Sequence, residues 1–527
     1  MIFNPSDIYG IIPEIAVVAL AMLVVFIELM ITRKETVLQL VTVVGLLVAM
    51  ALAVMTIDQP TGAFNGMIAS DGMSAFMKVL LGGIALLAVL MSRDYLTPPL
   101  SPPTGVRGEG KGVRHGEYYA MLLIATCGMM ILVSATDLVT VFLGIETMSI
   151  ALYVLAGIRS ERLRSGEAAI KYLLLGAFAT GFLLYGMALL YGGTGGMHNL
   201  AEIGSAISRM EGTVPVYVYA GAGLLMIGLL FKVAAVPFHF WSPDVYQGAP
   251  TPVTAFMSAG PKAAAFIAFI RVFAGALPDL SATWGPALWL IAAVTMTVGN
   301  IIAIAQKDIK RMLAYSSIAH AGYLLVGVLA AAKFDIFKSA AAGVMFYLVA
   351  YYLMNIGAFT IAIIVSRARE GGDYQIDDYK GMSASHPWLS AAMALFLISL
   401  AGIPPTAGFF GKLYVFSAAV KAGYVILVVI AVLNSAVSVF YYLRIVVFMY
   451  MQPAEKPISV KLRPALVVVI VVCVVGIVKF GLFPGDLLRW AGSSAEKIVT
   501  PMPQVAASFI DKAQSGSTEV VFNKAGD

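Results

Sequence analysis

Fourteen long apolar runs dominate this 527-residue sequence. A membrane-spanning helix needs about 20 predominantly apolar residues, and each run is close to that length or longer. Hydrophobic residues make up 60% of the chain and charged residues only 12%, whereas a soluble domain carries roughly 25% charged residues. The sequence therefore predicts an all-α polytopic membrane protein of about fourteen transmembrane helices. The predicted spans are 8–31, 36–56, 73–93, 117–135, 137–158, 166–192, 214–240, 252–277, 283–305, 310–331, 337–366, 389–420, 423–450 and 461–483.

The positive residues between the spans test this count, because cytoplasmic connections carry an excess of Lys and Arg. If residue 1 lies outside, the inside connections hold eighteen basic residues and the outside connections hold four. A miscounted span would disturb this alternation, so the bias predicts fourteen spans with both termini outside. The inside residues are Arg33, Lys34, Arg93, Arg107, Lys111, Arg114, Arg159, Arg162, Arg164, Lys307, Lys310, Arg311, Arg367, Arg369, Lys380, Lys456, Lys461 and Arg463. The outside residues are Arg209, Lys333, Lys338 and Lys421.

No cofactor site is visible in the sequence. Cys127 and Cys473 lie far apart in apolar runs and form no CxxC pair, which argues against an iron–sulfur cluster or zinc site. The Gly-rich stretch 191–200 lacks the GxGxxG order of a dinucleotide site. The net charge of +5 comes mostly from short loops and does not indicate a nucleic-acid partner. We expect no cofactor and no metal in this chain.

Five ionisable residues lie near the middle of predicted spans: Glu146, Lys232, Lys262, His320 and Lys412. A charge at the centre of a membrane helix costs about 2.5–3.5 kcal/mol on insertion scales. Buried ion pairs that fix helix packing are the structural alternative. However, three lysines face one obvious carboxylate, so pairing cannot neutralise them all. Because desolvation makes a buried lysine easier to deprotonate, these residues are predicted to bind and release protons.

Other charges lie nearer to the ends of the spans, where long side chains reach the interface. We interpret these residues mainly as structural, with Lys171 as a weaker functional candidate. His239 lies near the end of a predicted span and is a second weak candidate for the inside part of an ion path, with a structural role as the alternative. The residues near span ends are Lys78, Lys171, Arg271, Arg444 and Lys479.

Prolines interrupt two of the spans that carry a central lysine. Proline has no N–H group, so Pro237 frees the carbonyl of Val233, next to Lys232. Pro404 and Pro405 likewise free the carbonyls of Leu400 and Ala401, and Lys412 follows seven residues after Pro405. Freed carbonyls within a membrane are tolerated where protein or water satisfies them. A broken helix beside a buried lysine therefore predicts an ion site in spans 7 and 12.

The broken spans lie five apart, which divides the chain into two five-helix units, spans 4–8 and 9–13. Five is odd, so the second unit begins on the opposite side of the membrane, as in an inverted repeat. The expected divisions are residues 1–116 for a three-helix segment with a cytoplasmic linker, and 117–277 for the first repeat. Residues 283–450 form the second repeat, and 451–527 form a final helix with a polar tail.

Three stretches carry a resemblance to a known family: KVAAVPFHFWSPDVYQGAPTPVTAFMSAGPKAA (232–264), DIKRMLAYSSIAHAGY (308–323) and AGIPPTAGFFGKLYVF (401–416). They resemble the antiporter-like membrane subunits of respiratory complex I, and the match extends over spans 4–13. Within that family the chain is most similar to the N-type subunit. The M-type subunit typically has glutamate at the position of Lys412, and the L-type subunit adds a long lateral helix.

The resemblance implies a proton-translocating, non-redox subunit of an NADH:quinone oxidoreductase in a bacterial plasma membrane. It implies that Glu146 and Lys232 form the family's coupled pair. Lys262 and His320 would form a central relay, and Lys412 would be the terminal lysine. The implied partners are other membrane subunits of the complex, namely a neighbouring M-type subunit and the small K-type subunit, together with lipid, protons and water.

Two other readings remain open. A subunit of an Mrp-type cation/proton antiporter shares the fold and the lysines, and the sequence separates it poorly from a complex I subunit. A purely structural membrane scaffold would tolerate replacement of the buried lysines without loss of proton transport.

Overall fold

The computed structural model describes residues 7–31, 35–57, 63–96, 113–159, 161–210, 214–368, 374–454, 460 and 462–496. Within these residues the chain is almost entirely α-helical, and strand pairing is limited to isolated bridges. The principal helices are α1 (Ile12–Met30), α2 (Glu35–Met55), α3 (Gly72–Leu96), α4 (His115–Ser134), α5 (Leu138–Ala156), α6 (Leu163–Gly193), α7 (Val216–Val233), α8 (Thr251–Phe269), α9 (Ser281–Ile304), α10 (Ile309–Ala331), α11 (Phe337–Arg367), α12 (Pro387–Ala401), α13 (Ala407–Lys421), α14 (Val425–Met451) and α15 (Pro464–Leu482).

The predicted fold class is confirmed, because 13 helices in the described residues are long and apolar enough to cross a membrane. Each of them coincides with one predicted span. The remaining predicted span, 389–420, corresponds to α12 and α13, which are 15 residues each and too short to cross alone. Together they form one broken span. The inverted relation between the two five-helix units stays a prediction.

Both predicted helix breaks are present. Helix α7 ends at Val233, where Ala234 adopts a left-handed conformation with φ of 59°, and a short helix follows at Trp241–Gly248. Helix α12 ends at Ala401, and the next residue, Gly402, adopts a left-handed conformation with φ of 85°. A Cβ atom at Gly402 would also lie 2.9 Å from Cδ of Lys412. Glycine is therefore favoured there, because it adopts this backbone conformation without strain and leaves room for the lysine side chain.

The helices differ in how deeply they lie inside the bundle. Nearly all of α8, α10 and α11 is buried, so these helices form the centre. Helices α1, α2, α6, α14 and α15 expose apolar faces, as expected for surfaces that meet lipid or neighbouring subunits. Close contact between α4 and α5 depends on Gly128, where a Cβ atom would lie 2.4 Å from the Met148 nitrogen. This contact fixes α5, which carries Glu146.

Several polar contacts between described residues join helix ends that the alternating topology puts on the same side. On the predicted inside, Asp244 contacts both Lys171 and Arg311. On the predicted outside, Lys338 pairs with Glu496 at 2.8 Å. The outside ends are also joined by an ion pair between Asp71 and Arg271 and by a hydrogen bond between Asp137 and His198. These contacts support the alternation that the basic residues predicted.

Lys78 and Arg271 do not reach the interface, as was expected of charges near the span ends, because both are buried in ion pairs. These pairs agree with the interpretation of both residues as structural. Lys78 Nζ lies 2.8 Å from Glu14 Oε1. Arg271 donates two hydrogen bonds to the Asp71 carboxylate, at 2.9 and 2.8 Å, and a third to the Val133 carbonyl at 2.7 Å. Each cation therefore finds its partner inside the protein instead of reaching for the interface.

The expectation of a polar tail from residue 484 onward needs correction in part. Residues Pro484–Glu496 form an amphipathic helix whose apolar side chains Leu487 and Ala491 are buried. The rest of the predicted tail, 497–527, lies outside the described residues, as does the central part of the predicted cytoplasmic linker, 97–112.

Candidate functional site

Four of the five central ionisable residues are buried inside the bundle. Lys232, Lys262, His320 and Lys412 are each no more than 4% exposed, although all four side chains bear a group that can be charged. Glu146 is half-buried. Helices α5, α7, α8, α10 and α13 each contribute one of these residues. Four of the five side chains therefore lie in the protein interior, and the functional role of all five stays a prediction.

Lys232 and Glu146 form no ion pair. Lys232 Nζ, at the end of α7, donates a hydrogen bond of 2.7 Å to the Ser149 hydroxyl on α5. Glu146 Oε1, on the same helix, accepts a hydrogen bond of 2.7 Å from the Thr180 hydroxyl on α6. The two charges still interact electrostatically. Each partner of the predicted pair is thus held by a different hydroxyl.

Lys262 and His320 are connected through α10. Lys262 Nζ donates to both the carbonyl oxygen (2.9 Å) and the hydroxyl of Ser317. His320 lies one turn further along α10, on the same face as Ser317. Its two ring nitrogens are hydrogen-bonded to the hydroxyls of Tyr347, at 2.6 Å, and Tyr442, at 3.1 Å. The centre of the bundle therefore contains a lysine and a histidine separated by serine and tyrosine hydroxyls.

Lys412 lies at the break between α12 and α13. Its Nζ donates to the carbonyls of Leu400, at 3.1 Å, and Ala401, at 2.9 Å, and to the Ser435 hydroxyl at 2.8 Å. These are the carbonyls that the prolines were predicted to free. The C-terminal end of a helix carries partial negative charge, so the end of α12 favours the ammonium form.

Tyr323 lies between His320 and Lys412. Its ring centroid is 5.6 Å from that of His320, and Lys412 Nζ lies 5.0 Å from the same ring. Asn300 donates a hydrogen bond of 2.9 Å to the Tyr323 hydroxyl and accepts one of 2.9 Å from Tyr441. A neutral polar network therefore supports the aromatic ring against which the lysine packs.

The two weaker candidates lie nearer the predicted inside. Lys171 is partly exposed and pairs with Glu167 at 2.6 Å and with Asp244 at 2.9 Å. These three residues line a small open pocket. Partial burial alone would raise the pKa of Asp244, but hydrogen bonds from Lys171 and Arg311 hold it below its usual value. His239 lies in the break after α7 and is 5% exposed.

No two of the five central residues are hydrogen-bonded directly to each other within the described chain. Hydroxyl and carbonyl groups accept or donate their hydrogen bonds instead, and of these groups the sequence predicted the carbonyls of Leu400 and Ala401. These groups belong to Ser149, Thr180, Ser317, Tyr347, Tyr442, Leu400, Ala401 and Ser435. The described residues include no cluster of His, Cys, Asp and Glu that could hold a metal ion. Each of the five central side chains carries a group that can bind and release a proton.

A family model described as "NADH:quinone oxidoreductase/Mrp antiporter, TM" matches residues 135–438, which include all five central residues. The chain is 43% identical to "NADH-quinone oxidoreductase subunit N" of Trichlorobacter lovleyi, over 94% of this chain and 99% of that protein. It is 42% identical to the protein of the same name from Desulfovibrio desulfuricans, over 92% and 96% of the two chains.

Solved structures agree with these relatives. A chain of respiratory complex I from Thermus thermophilus is 34% identical and superposes with a TM-score of 0.73, covering 91% of this chain and 99% of that one. A chain of the Mrp complex from Dietzia sp. superposes with a TM-score of 0.79 at 21% identity, covering 96% and 99%. The second likeness concerns the fold alone. Sequence identity, and not the fold, separates the complex I relatives from the antiporter.

Proposed function

The chain belongs to the NADH:quinone oxidoreductase/Mrp antiporter family, among the subunit N proteins of NADH-quinone oxidoreductase, and we propose that it translocates protons within that complex. The observation that carries this proposal is the burial of three lysines and a histidine at the helix breaks and in the centre of the bundle. These residues are Lys232, Lys262, His320 and Lys412. Such residues are costly in a membrane and mark ion pathways and proton relays.

In the proposed path, a proton enters from the cytoplasmic side near Lys171, Asp244 and His239 and reaches Lys232. It then passes to Lys262 and His320 by way of intervening hydroxyls and waters. The last step is transfer to Lys412 and release outside. The charge of Glu146 sets how firmly Lys232 holds its proton, because a nearby carboxylate favours the ammonium form.

This chain is proposed to contribute transport and no redox chemistry, with the energy supplied by electron transfer in other subunits. The two repeats, 117–277 and 283–450, would each provide one half of the path. The preceding residues 1–116 and the segment 451–527 would join the repeats to neighbouring subunits. The M-type and K-type membrane subunits are the proposed neighbours.

Purification under mild detergent distinguishes this function from that of an Mrp-type antiporter. We expect NADH:quinone oxidoreductase activity to co-purify with a tagged chain, because a complex I subunit is held in the assembly by its membrane neighbours. The measurement is NADH-dependent quinone reduction in the eluate, with an untagged strain as control. Recovery of cation/proton exchange without any NADH oxidation would support the antiporter instead.

The proposed orientation places both termini outside a bacterial inner membrane. We therefore expect tags in the connection between α3 and α4, within 97–112, to be cytoplasmic, and tags at residue 527 to be external. The reason is the excess of Lys and Arg in the inside connections. Accessibility to a membrane-impermeant reagent in intact cells measures this. A cytoplasmic C-terminus would mean that the count is wrong by one span.

A further inference from the structure

One turn of α5 contacts both members of the predicted Glu–Lys pair, because it carries Glu146 and its Ser149 binds Lys232. The two charged groups nevertheless have different hydrogen-bond partners. Glu146 and Ser149 are three residues apart and share a helix face. Ser149 accepts its hydrogen bond from Lys232 on α7, whereas Glu146 accepts its hydrogen bond from Thr180 on α6. The carboxylate is thereby turned toward α6 and the ammonium toward Ser149.

We propose that Thr180 is a positioning residue that holds the Glu146 carboxylate away from the Lys232 ammonium. This inference rests on the proposed function and adds to it a group that acts on Lys232 only through Glu146. Ser149 positions the other member of the pair, because its hydroxyl accepts a hydrogen bond from the Lys232 ammonium. Together the two hydroxyls keep a pair of opposite charges apart inside the membrane.

The hydrogen bond of Thr180 differs from those of several other helical threonines among the described residues. In a helix interior, a threonine hydroxyl commonly bonds a carbonyl of its own preceding turn. Thr42, Thr126 and Thr360 do so, each to the carbonyl four residues before it. Thr180 instead donates to a side chain on another helix. Ordinary helix geometry therefore does not account for the contact.

The packing of α6 on α5 brings the hydroxyl to this place. Gly176 lies one turn before Thr180 on the same face of α6, and a Cβ atom there would overlap the Tyr153 hydroxyl at 2.0 Å. Tyr153 lies on α5, beyond Glu146 and Ser149. Because glycine lets the helices approach, the short side chain of Thr180 can reach the carboxylate.

The contact has a clear electrostatic consequence. A hydrogen bond to an ionised carboxylate is stronger than one between neutral groups, so Thr180 competes with the lysine for Glu146. If the carboxylate moved onto Lys232, the ion pair would stabilise the ammonium and slow release of its proton. A threonine hydroxyl that keeps the pair open therefore favours proton transfer onward from Lys232.

Three variants of the complete, membrane-embedded complex test this role. Thr180→Val removes the hydroxyl and keeps the shape, Thr180→Ser keeps the hydroxyl, and Thr126→Val is the control for loss of a buried threonine hydroxyl elsewhere. The measurement is initial proton uptake per NADH oxidised in vesicles, recorded across pH. Subunit content is checked in parallel.

We expect Thr180→Val to slow uptake at neutral pH and to move the alkaline limb of the profile upward by about one pH unit, which corresponds to a tenfold change in proton affinity. Thr180→Ser and Thr126→Val should keep the original profile. An unchanged or acid-shifted profile in Thr180→Val overturns the role, as does failure of serine to restore the profile. These results are separable from failure of the proposed function, which would appear as normal pumping in Lys232→Ala.

Discussion

Replacing Lys232 with alanine is expected to reduce NADH-driven proton uptake by at least about tenfold, or ~1.4 kcal/mol in the barrier. Lys232 is buried at the end of α7, and its ammonium is bonded to Ser149 within the described chain. Alanine leaves no group there that can accept a proton. Uptake per NADH oxidised, measured with a pH-sensitive dye in sealed vesicles, reports the loss.

Lys338→Ala is the matched control, since Lys338 is half-exposed and pairs with Glu496 at the predicted outer surface. It should pump normally. Blots for this chain and its neighbours must show that the Lys232→Ala complex is assembled. Normal pumping in an assembled Lys232→Ala complex would contradict the relay, and failure of the variant to assemble would indicate a structural role.

Glu146 variants belong to the same experiment because the carboxylate acts on Lys232 at a distance. Glu146→Ala should resemble Lys232→Ala, since it removes the charge that tunes the lysine. Glu146→Asp keeps the charge and should be milder. Its shorter side chain reaches less far toward Thr180, so part of the loss should remain.

The sequence was sufficient to predict the spans and both breaks, for identifiable physical reasons. Hydrocarbon tolerates few charges and no unpaired backbone groups, so apolar length and the placement of Lys and Arg determine the topology. Proline and glycine end helices by fixed rules, which is why α12 stops just before Pro404 and Pro405. The freed carbonyls of Leu400 and Ala401 then lie where Lys412 can bond them.

The partners of the central charges could not be predicted in this way. Thr126 and Thr180 are the same residue type in similar apolar helices, yet one bonds its own backbone and the other bonds Glu146. The difference depends on which helix faces each hydroxyl, and that is set by packing between distant segments. The same holds for Arg271, whose partner Asp71 lies 200 positions away in the sequence.

Lys412→Met should reduce proton uptake per NADH by at least about tenfold, because it removes the last proton-binding group of the proposed path. Methionine fills similar space beside Tyr323 without a group that can be protonated. It also leaves the carbonyls of Leu400 and Ala401 without the ammonium that they now contact. Lys421→Met is the control on the same helix, because Lys421 is exposed at its end.

Lys412→Arg separates a relay from a fixed charge, which methionine cannot do. Arginine can donate to the same carbonyls and to Ser435, so a lysine needed only for its charge could be replaced with little loss. A relay must release its proton, and arginine holds its proton up to about pH 12 or above. We therefore expect Lys412→Arg to be impaired nearly as severely as Lys412→Met while the complex remains assembled and oxidises NADH. Near-normal pumping in the arginine variant would show that Lys412 acts as a fixed charge at the end of α12, and the path would have to leave the bundle elsewhere.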